Sequence, residues 1–360
     1  MTNQEIVHQI AALQCRGHGY YSDGLFPSQR IHGWFPYCRE DNNIFFSTLI
    51  VYTLLDLRGD LDETSKSLIE EIVTAVRSAQ PLYQHWKGEG SYNFWMTNPS
   101  RHFPGGWLLH RWDRFAIPDD TDDSCLVHLT NNFSEQQSLW LKKKIEGHYP
   151  RDREPSSLTP PEYRHLRAYP TFFGKQLAPE MDACVISNVL AFMRSRDYPW
   201  SQYDKDSLEF LQLVLNRKDY LLRPFEISPN YNHPLVILYH LTRLVSRFPH
   251  PQHRQLAENL KMHLHQYDHQ HANFMELLLL NTCLLRMELE PHELLLPEDW
   301  PGQFNRFYFF QAGMLTAFQK VHWRKCTVHP FFHLKYRCEA FYWTLLLEYQ
   351  VLSQRRYSKP

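Results

Sequence analysis

The chain has 360 residues, 43% hydrophobic and 15% aromatic, with a formal net charge of −1. That length supports one large core or two modest ones, and so balanced a charge excludes a global field that would gather nucleic acid or an acidic membrane. Seven scattered cysteines without a CxxC pair give neither a zinc knuckle nor a redox motif.

The start, MTNQEIVHQIAAL, has no basic segment ahead of an apolar core, so a secretory signal is not expected. With its unpaired cysteines the chain reads as a reduced, cytoplasmic protein. The greasiest stretch, MELLLLNTCLL at 275–285, is shorter than the roughly 20 residues that span a bilayer. Peripheral membrane contact remains compatible with the sequence; a transmembrane segment is not expected. Lys142, Lys143 and Lys144 form the one dense basic run, read as a solvated helix face. The oligomeric state is left open.

Taken in order, the elements follow helical periodicity, and alternating strand patterns are scarce. DNNIFFSTLIVYTLLDL (41–57) opens on capping residues and continues almost wholly apolar, as a helix buried on several sides would. The segment 62–80 follows and is amphipathic. The alternation returns as 122–130 then 134–147, and as 181–194 then 204–217. It continues through 232–247, 252–268 and 273–287, with a last helix near 338–353. Buried helices alternating with half-exposed ones predict an all-α fold, a single-domain α/α toroid over residues 1–360, with inner helices ringed by outer ones. An irregular stack of helical hairpins is the competing architecture, although no fixed repeat of 20–50 residues is visible.

Long loops rich in Trp, Tyr, Phe, Pro and Gly precede several inner helices, at 24–41, 88–107, 167–180 and 223–234. In a toroid they converge on one rim, either as walls of a ligand cavity or as an aromatic plug.

Residues 115–129, FAIPDDTDDSCLVHL, place Asp119, Asp120, Asp122 and Asp123 within five positions. Pro118 marks a helix start, where the positive end of the dipole stabilises carboxylates by roughly 0.3–1 kcal/mol each. Four carboxylates exceed what capping requires, and like charges at close range raise one another's pKa. If water is excluded, one member stays protonated and becomes a positioned acid. A metal site and a solvated cap are the alternatives.

The pattern Asp120-Thr121-Asp122-Asp123-Ser124 resembles the DxDD(T/S) motif of class II terpene cyclases, the squalene–hopene cyclase group. The resemblance implies an α/α toroid, with Asp122 donating a proton to an alkene or epoxide and Asp120 and Asp123 as supporting carboxylates. It further implies aromatic walls around the cyclising cation and no required cofactor. The activity would be of isomerase or lyase type on an isoprenoid: a prenyl diphosphate, a polyprene or a meroterpenoid. Asp41, Trp95, Trp107, Asp182 and Tyr231 are the expected pocket residues. For a diphosphate substrate, Arg101, His102, Arg111 and Arg114 would bind the anion, and Mg²⁺ could accompany it. This chain carries Ser124 where the family usually has threonine, has one extra residue between Pro118 and the pattern, and lacks recognisable glutamine–tryptophan repeats.

Three other readings stay open. Asp119, Asp120 and Asp123 also spell DDxxD, the Mg²⁺-binding pattern of class I terpene synthases; no second metal motif follows, although RRY at 355–357 echoes that class's Arg-Tyr pair. An α/α-barrel glycosidase would pair Asp41, Asp122 and Asp182, each opening a predicted inner helix. Trp34, Trp95 and Trp107 would then stack sugars, and Asn42, Asn93, Asn188 and Asn232 would meet their hydroxyls. A toroid that binds a lipid or a partner without turnover is the third. His263, His265, His269 and His271 do not share a helix face and read as solvated, and no GxSxG, GxGxxG or GxxxxGK[ST] motif occurs.

Overall fold

The computed structural model describes residues 1–17, 19–97, 100, 117–148, 158–173, 179–297, 299–314 and 324–357. Largely apolar runs become helices that are buried over most of their length. They are α2 (Phe45–Leu57), α4 (Thr121–Thr130), α6 (Ala183–Ser195), α10 (Pro234–Arg247), α12 (Phe274–Arg286) and α15 (Glu339–Tyr357), each with most of its side chains buried. The amphipathic segments become α3 (Glu63–Ala79), α5 (Glu135–Gly147), α7 (Gln202–Asn216) and α11 (Arg254–His265), each burying one face. A further outer helix, α1 (Asn3–Ala12), was not anticipated by the periodicity; a Thr2–Glu5 capping box starts it. One-turn helices α8 (Asp219–Leu222), α9 (Pro224–Ile227), α13 (Trp300–Gln303) and α14 (Arg324–Thr327) punctuate the loops.

Side-chain caps fix where these helices start. Asp62, Ser134, Ser201 and Asn273 accept from backbone N–H groups of α3, α5, α7 and α12. Asp120 and Asp182 do the same for α4 and α6.

The buried helices pack in a cyclic order. Helix α2 lies against α4, α4 against α6, α6 against α10, α10 against α12, α12 against α15, and α15 against α2 again. Helices α1, α3, α5, α7 and α11 pack on this set from outside. Phe45 of α2 shares a cavity with Asp122 of α4 and Val185 of α6, all near helix N-termini. Asp56, at the other end of α2, shares a second cavity with Arg247, Arg286 and Arg355, at the C-terminal ends of α10, α12 and α15. The six buried helices therefore run in the same sense, with their positive dipole ends toward the aspartate motif.

Beside the helices sits a four-stranded antiparallel sheet, in the order β2 (Cys38–Asp41), β1 (Ser28–His32), β4 (His333–Arg337), β3 (Phe310–Gly313). The helical periodicity gave no warning of it. Phe310 faces Tyr336 across β3 and β4, and Ala312 faces Leu334. Phe310, Ala312 and Tyr336 thus lie on one face of the sheet, and all three line the motif's cavity. Among the described residues no helix is long and apolar enough to cross a membrane.

Candidate functional site

The motif is threaded between two of the aromatic loops. Asp120 N donates to Tyr92 O at 3.2 Å, and Thr121 N donates to Thr171 O at 2.9 Å. Thr121 Oγ1 donates to Pro170 O at 2.8 Å, and Ser124 Oγ accepts from Tyr92 N at 2.9 Å. The backbone of Asp120 and Thr121 and the hydroxyls of Thr121 and Ser124 therefore fasten the loops at 91–95 and 170–173 to the start of α4. The side chains of Asp120, Asp122 and Asp123 face the cavity.

Each aspartate has its own surroundings. Asp119 turns away from the cavity: Ser91 Oγ donates to it at 2.6 Å, and Asn93 Nδ2 lies 3.5 Å from its other oxygen. Asp120 caps the helix, accepting from Asp123 N at 2.7 Å. Asp122 accepts from Asn188 Nδ2 at 2.7 Å and from the phenol of Tyr231. Asp123 has one buried carboxyl oxygen, Oδ1, without a hydrogen-bond partner. Asp120, Asp122 and Asp123 all line the cavity.

Burial is the main force on these groups. It pushes Asp122 up to about 6, against the hydrogen bonds from Tyr231 and Asn188, which favour the anion. Burial raises Asp120 and Asp123 well above the usual carboxylate range; the charge of Asp122 opposes the ionisation of both, and that of Asp120 opposes the ionisation of Asp123. Asp120 and Asp123 are thereby biased toward the protonated form, while Asp122 sits where it can gain or lose a proton.

The rest of the cavity is apolar. Its aromatic walls are Phe45, Phe94, Trp95, Phe172, Phe310 and Tyr336. Phe94 stacks on Phe310 with centroids 5.4 Å apart and meets Trp95 edge-on at 4.9 Å. Thr171 and Asn230 are the uncharged polar side chains on this wall. The enclosed volume is about 80 Å³, comparable to two or three waters at ~30 Å³ each.

Two expected pocket carboxylates take other roles. Asp41 does not open a helix: it ends β2, and α2 begins four residues later without a side-chain cap. Its carboxylate is held by Arg30 Nε at 2.8 Å and Asn43 at 2.8 Å, and it accepts from Trp95 Nε1 at 3.1 Å. Asp41 thus aims Trp95 rather than lining the wall itself. Asp182 does open its helix, but every described partner turns it inward: Cys184 N, Val185 N, Ser228 Oγ, and the backbone and side chain of Asn230. Asn230, held by Asp182, is what reaches the cavity. Tyr231 donates to Asp122 and does not line the cavity.

Trp107, Arg101, His102, Arg111 and Arg114 lie outside the described residues. Trp34 is 64% exposed, between β1 and β2. Arg355 and Arg356 pair with Asp60 and Glu290, and both arginines line the second cavity at the far end of the helices. His263 is buried against the Tyr220 hydroxyl, while His265 and His271 are exposed. Among the described residues no group of three His, Cys, Asp or Glu side chains could hold a metal ion.

Compared with protein-family models, curated proteins and solved structures, the chain matches none. Chemistry at the cavity must therefore carry the reading.

Sequence reasoning missed part of the wall. Phe45, Phe94 and Phe172 fall inside segments singled out as an inner helix or aromatic loops. Phe310, Ala312 and Tyr336 come from the unforeseen sheet. Asn188 was read as a sugar-binding amide, yet it is fully engaged with Asp122 and Arg243.

Proposed function

We propose that this chain is an α/α toroid that cyclises an isoprenoid by protonation, in the manner of a class II terpene cyclase. The observation that carries the reading is one cavity in which three carboxyl side chains face a wall of six aromatic ones. The cyclic packing order of the buried helices supports the toroid.

In this reading Asp122 is the acid. An acid is most effective when its pKa lies near the working pH, and Asp122 sits at about 6. Its proton passes to the less substituted carbon of a terminal alkene, leaving a tertiary cation and the Asp122 carboxylate. A second double bond then closes the ring, and the sequence ends with loss of a proton or capture of water. Tyr231 and Asn188 each occupy one lone pair on Asp122, so both oxygens of the new carboxylate are already solvated by protein. Burial biases Asp120 and Asp123 toward their protonated forms, which limits the negative charge next to the donor.

The aromatic wall stabilises the cation, at roughly 0.5–2 kcal/mol per well-placed face. It also excludes the water that would quench the cation early. The cavity's 80 Å³ suits the alkene terminus that receives the proton; side chains must move to admit a longer chain.

The test is incubation with prenyl diphosphates and neutral polyprenes, followed by mass spectrometry. Cyclic products of unchanged or singly hydrated mass are expected. Conversion of none of these substrates by the wild-type protein contradicts the reading, and tight binding without conversion would make it a lipid-binding protein instead.

A further inference from the structure

Behind Asp122 a polar column runs along the buried helices. Arg243 of α10 is 2% exposed. One of its nitrogens donates to Asn188 Oδ1 at 2.8 Å, and Asn188 in turn donates to Asp122. Its other terminal nitrogen has no hydrogen-bond partner. The rings of Tyr52 and Tyr239 flank the guanidinium at 4.8 and 5.2 Å. Tyr239 donates to Glu348 at 2.6 Å, Glu348 accepts from Arg286 at 2.7 Å, and Arg286 reaches Asp56 at 2.7 Å. Asp56 is also paired with Arg247 at 2.9 Å.

The charges in this column do not cancel by themselves. Arg247 and Arg286 are matched by Asp56 and Glu348 through direct ion pairs. Arg243 has no such pair among the described residues. A buried cation without a counter-charge is strongly disfavoured. The carboxylate next along the hydrogen-bonded chain is Asp122, one amide away. With Asp122 ionised the column is neutral; with Asp122 protonated it carries one excess positive charge.

We propose that Arg243, acting through Asn188, is the buried counter-charge that holds the Asp122 carboxylate in place and ionised once its proton has left. Arg243 touches neither cavity nor substrate, so it is a positioning residue. Its consequence for catalysis rests on the reading of Asp122 as the acid, but its effect on Asp122 does not. The other groups around Asp122 cannot serve. Asp120, Asp123 and Cys125 share its helix, and Asp182 and Cys184 stand at the start of α6. Tyr231 and His240 come from α10 and the loop before it, 4.8 Å apart, and Tyr52 comes from α2. Burial keeps His240 uncharged. On α5, Lys144 is turned to Glu89 and Ser91. Arg243 is the cation of the set.

The proposal is tested by titrating Asp122 directly. Infrared difference spectra between the full-length wild type and Asp122→Asn isolate the carbonyl stretch of the protonated side chain, which is followed against pH. In Arg243→Met the midpoint is expected to rise by at least one pH unit, a tenfold loss of acidity, and Arg243→Lys should restore most of the wild-type value. An unmoved midpoint in Arg243→Met overturns the proposal. Should that variant fail to fold, Arg243→Gln keeps a hydrogen-bond donor for Asn188 and removes only the charge; a rise supports the proposal and an unmoved midpoint overturns it. No substrate enters this measurement, so a protein inert toward isoprenoids would leave its outcome intact.

Discussion

The phenol of Tyr231 donates a hydrogen bond to the Oδ2 of Asp122, joining residues 109 positions apart. The bond favours the carboxylate and opposes the burial that would keep it protonated. Hydrogen bonds to a charged group contribute about 1.5–3 kcal/mol. Tyr231→Phe should therefore raise the Asp122 midpoint by about one to two pH units, moving the same limb of any pH–rate profile. A midpoint unchanged by this substitution would show that the phenol does not act on the acid.

The contribution of Asp122 to stability should fall as pH rises. Asp122 titrates at about 6 when folded, above its ordinary value of 3.8, so the folded state binds the extra proton between those limits. Stability is then highest below about pH 4 for this group and declines through pH 6. The loss is about 3 kcal/mol at ~1.4 kcal/mol per tenfold change in acidity. Asp120 and Asp123, raised by burial and by the charge of Asp122, act in the same direction. Denaturant melts at several pH values should show a shallower slope for Asp122→Asn. An equal slope would place the titrating groups elsewhere.

Breaking the brace behind Trp95 should cost stability as well as activity. Asp41→Ala leaves Arg30 without the ion pair recorded at 2.8 Å and removes the acceptor of Trp95 Nε1. Losing one partner of a buried pair costs about 3–5 kcal/mol. Trp95→Phe keeps the pair and should cost less in a thermal melt, while altering product proportions. Equal losses of stability in the two variants would mean that the pair contributes little.

These contacts mark where the sequence could and could not be read. The motif helix was legible because Pro118 and the aspartates signal a helix start within a few residues. The other long helices apart from α1 were legible from local periodicity, as apolar runs or amphipathic segments. The sheet was not. Its strands are four or five residues long, and β1, with Gln29 and Arg30, pairs with β4 about 300 residues away. Asp41 looked like a cap because it precedes an apolar run; its partners, Arg30 and Trp95, are set by tertiary packing. Arg243 lies within PLVILYHLTRLVSR, and nothing in that segment distinguishes it from Arg247, four residues on. Only the closed packing of the helices buries it.

The aromatic wall should be separable from the acid. Phe310→Leu and Phe94→Leu keep apolar bulk but remove a π face. Losing one face of roughly 0.5–2 kcal/mol should slow turnover by about two- to thirty-fold. Early-quenched, less cyclised products should increase, and the Asp122 midpoint should stay in place. Unchanged rates and products in both variants would remove these rings from the cation's path.

The central claim is that Asp122 delivers the proton. Product analysis by mass spectrometry of Asp122→Asn, beside the wild type, Asp120→Asn and Asp123→Asn, tests it most directly. Asparagine preserves the size of the side chain and cannot donate an acidic proton, so turnover should fall by at least ~10²–10⁴-fold while the melting profile shows a folded protein. Asp120→Asn and Asp123→Asn should retain measurable cyclisation, and chelating Mg²⁺ should leave protonation of a neutral polyprene unaffected. Full activity in Asp122→Asn would contradict the account.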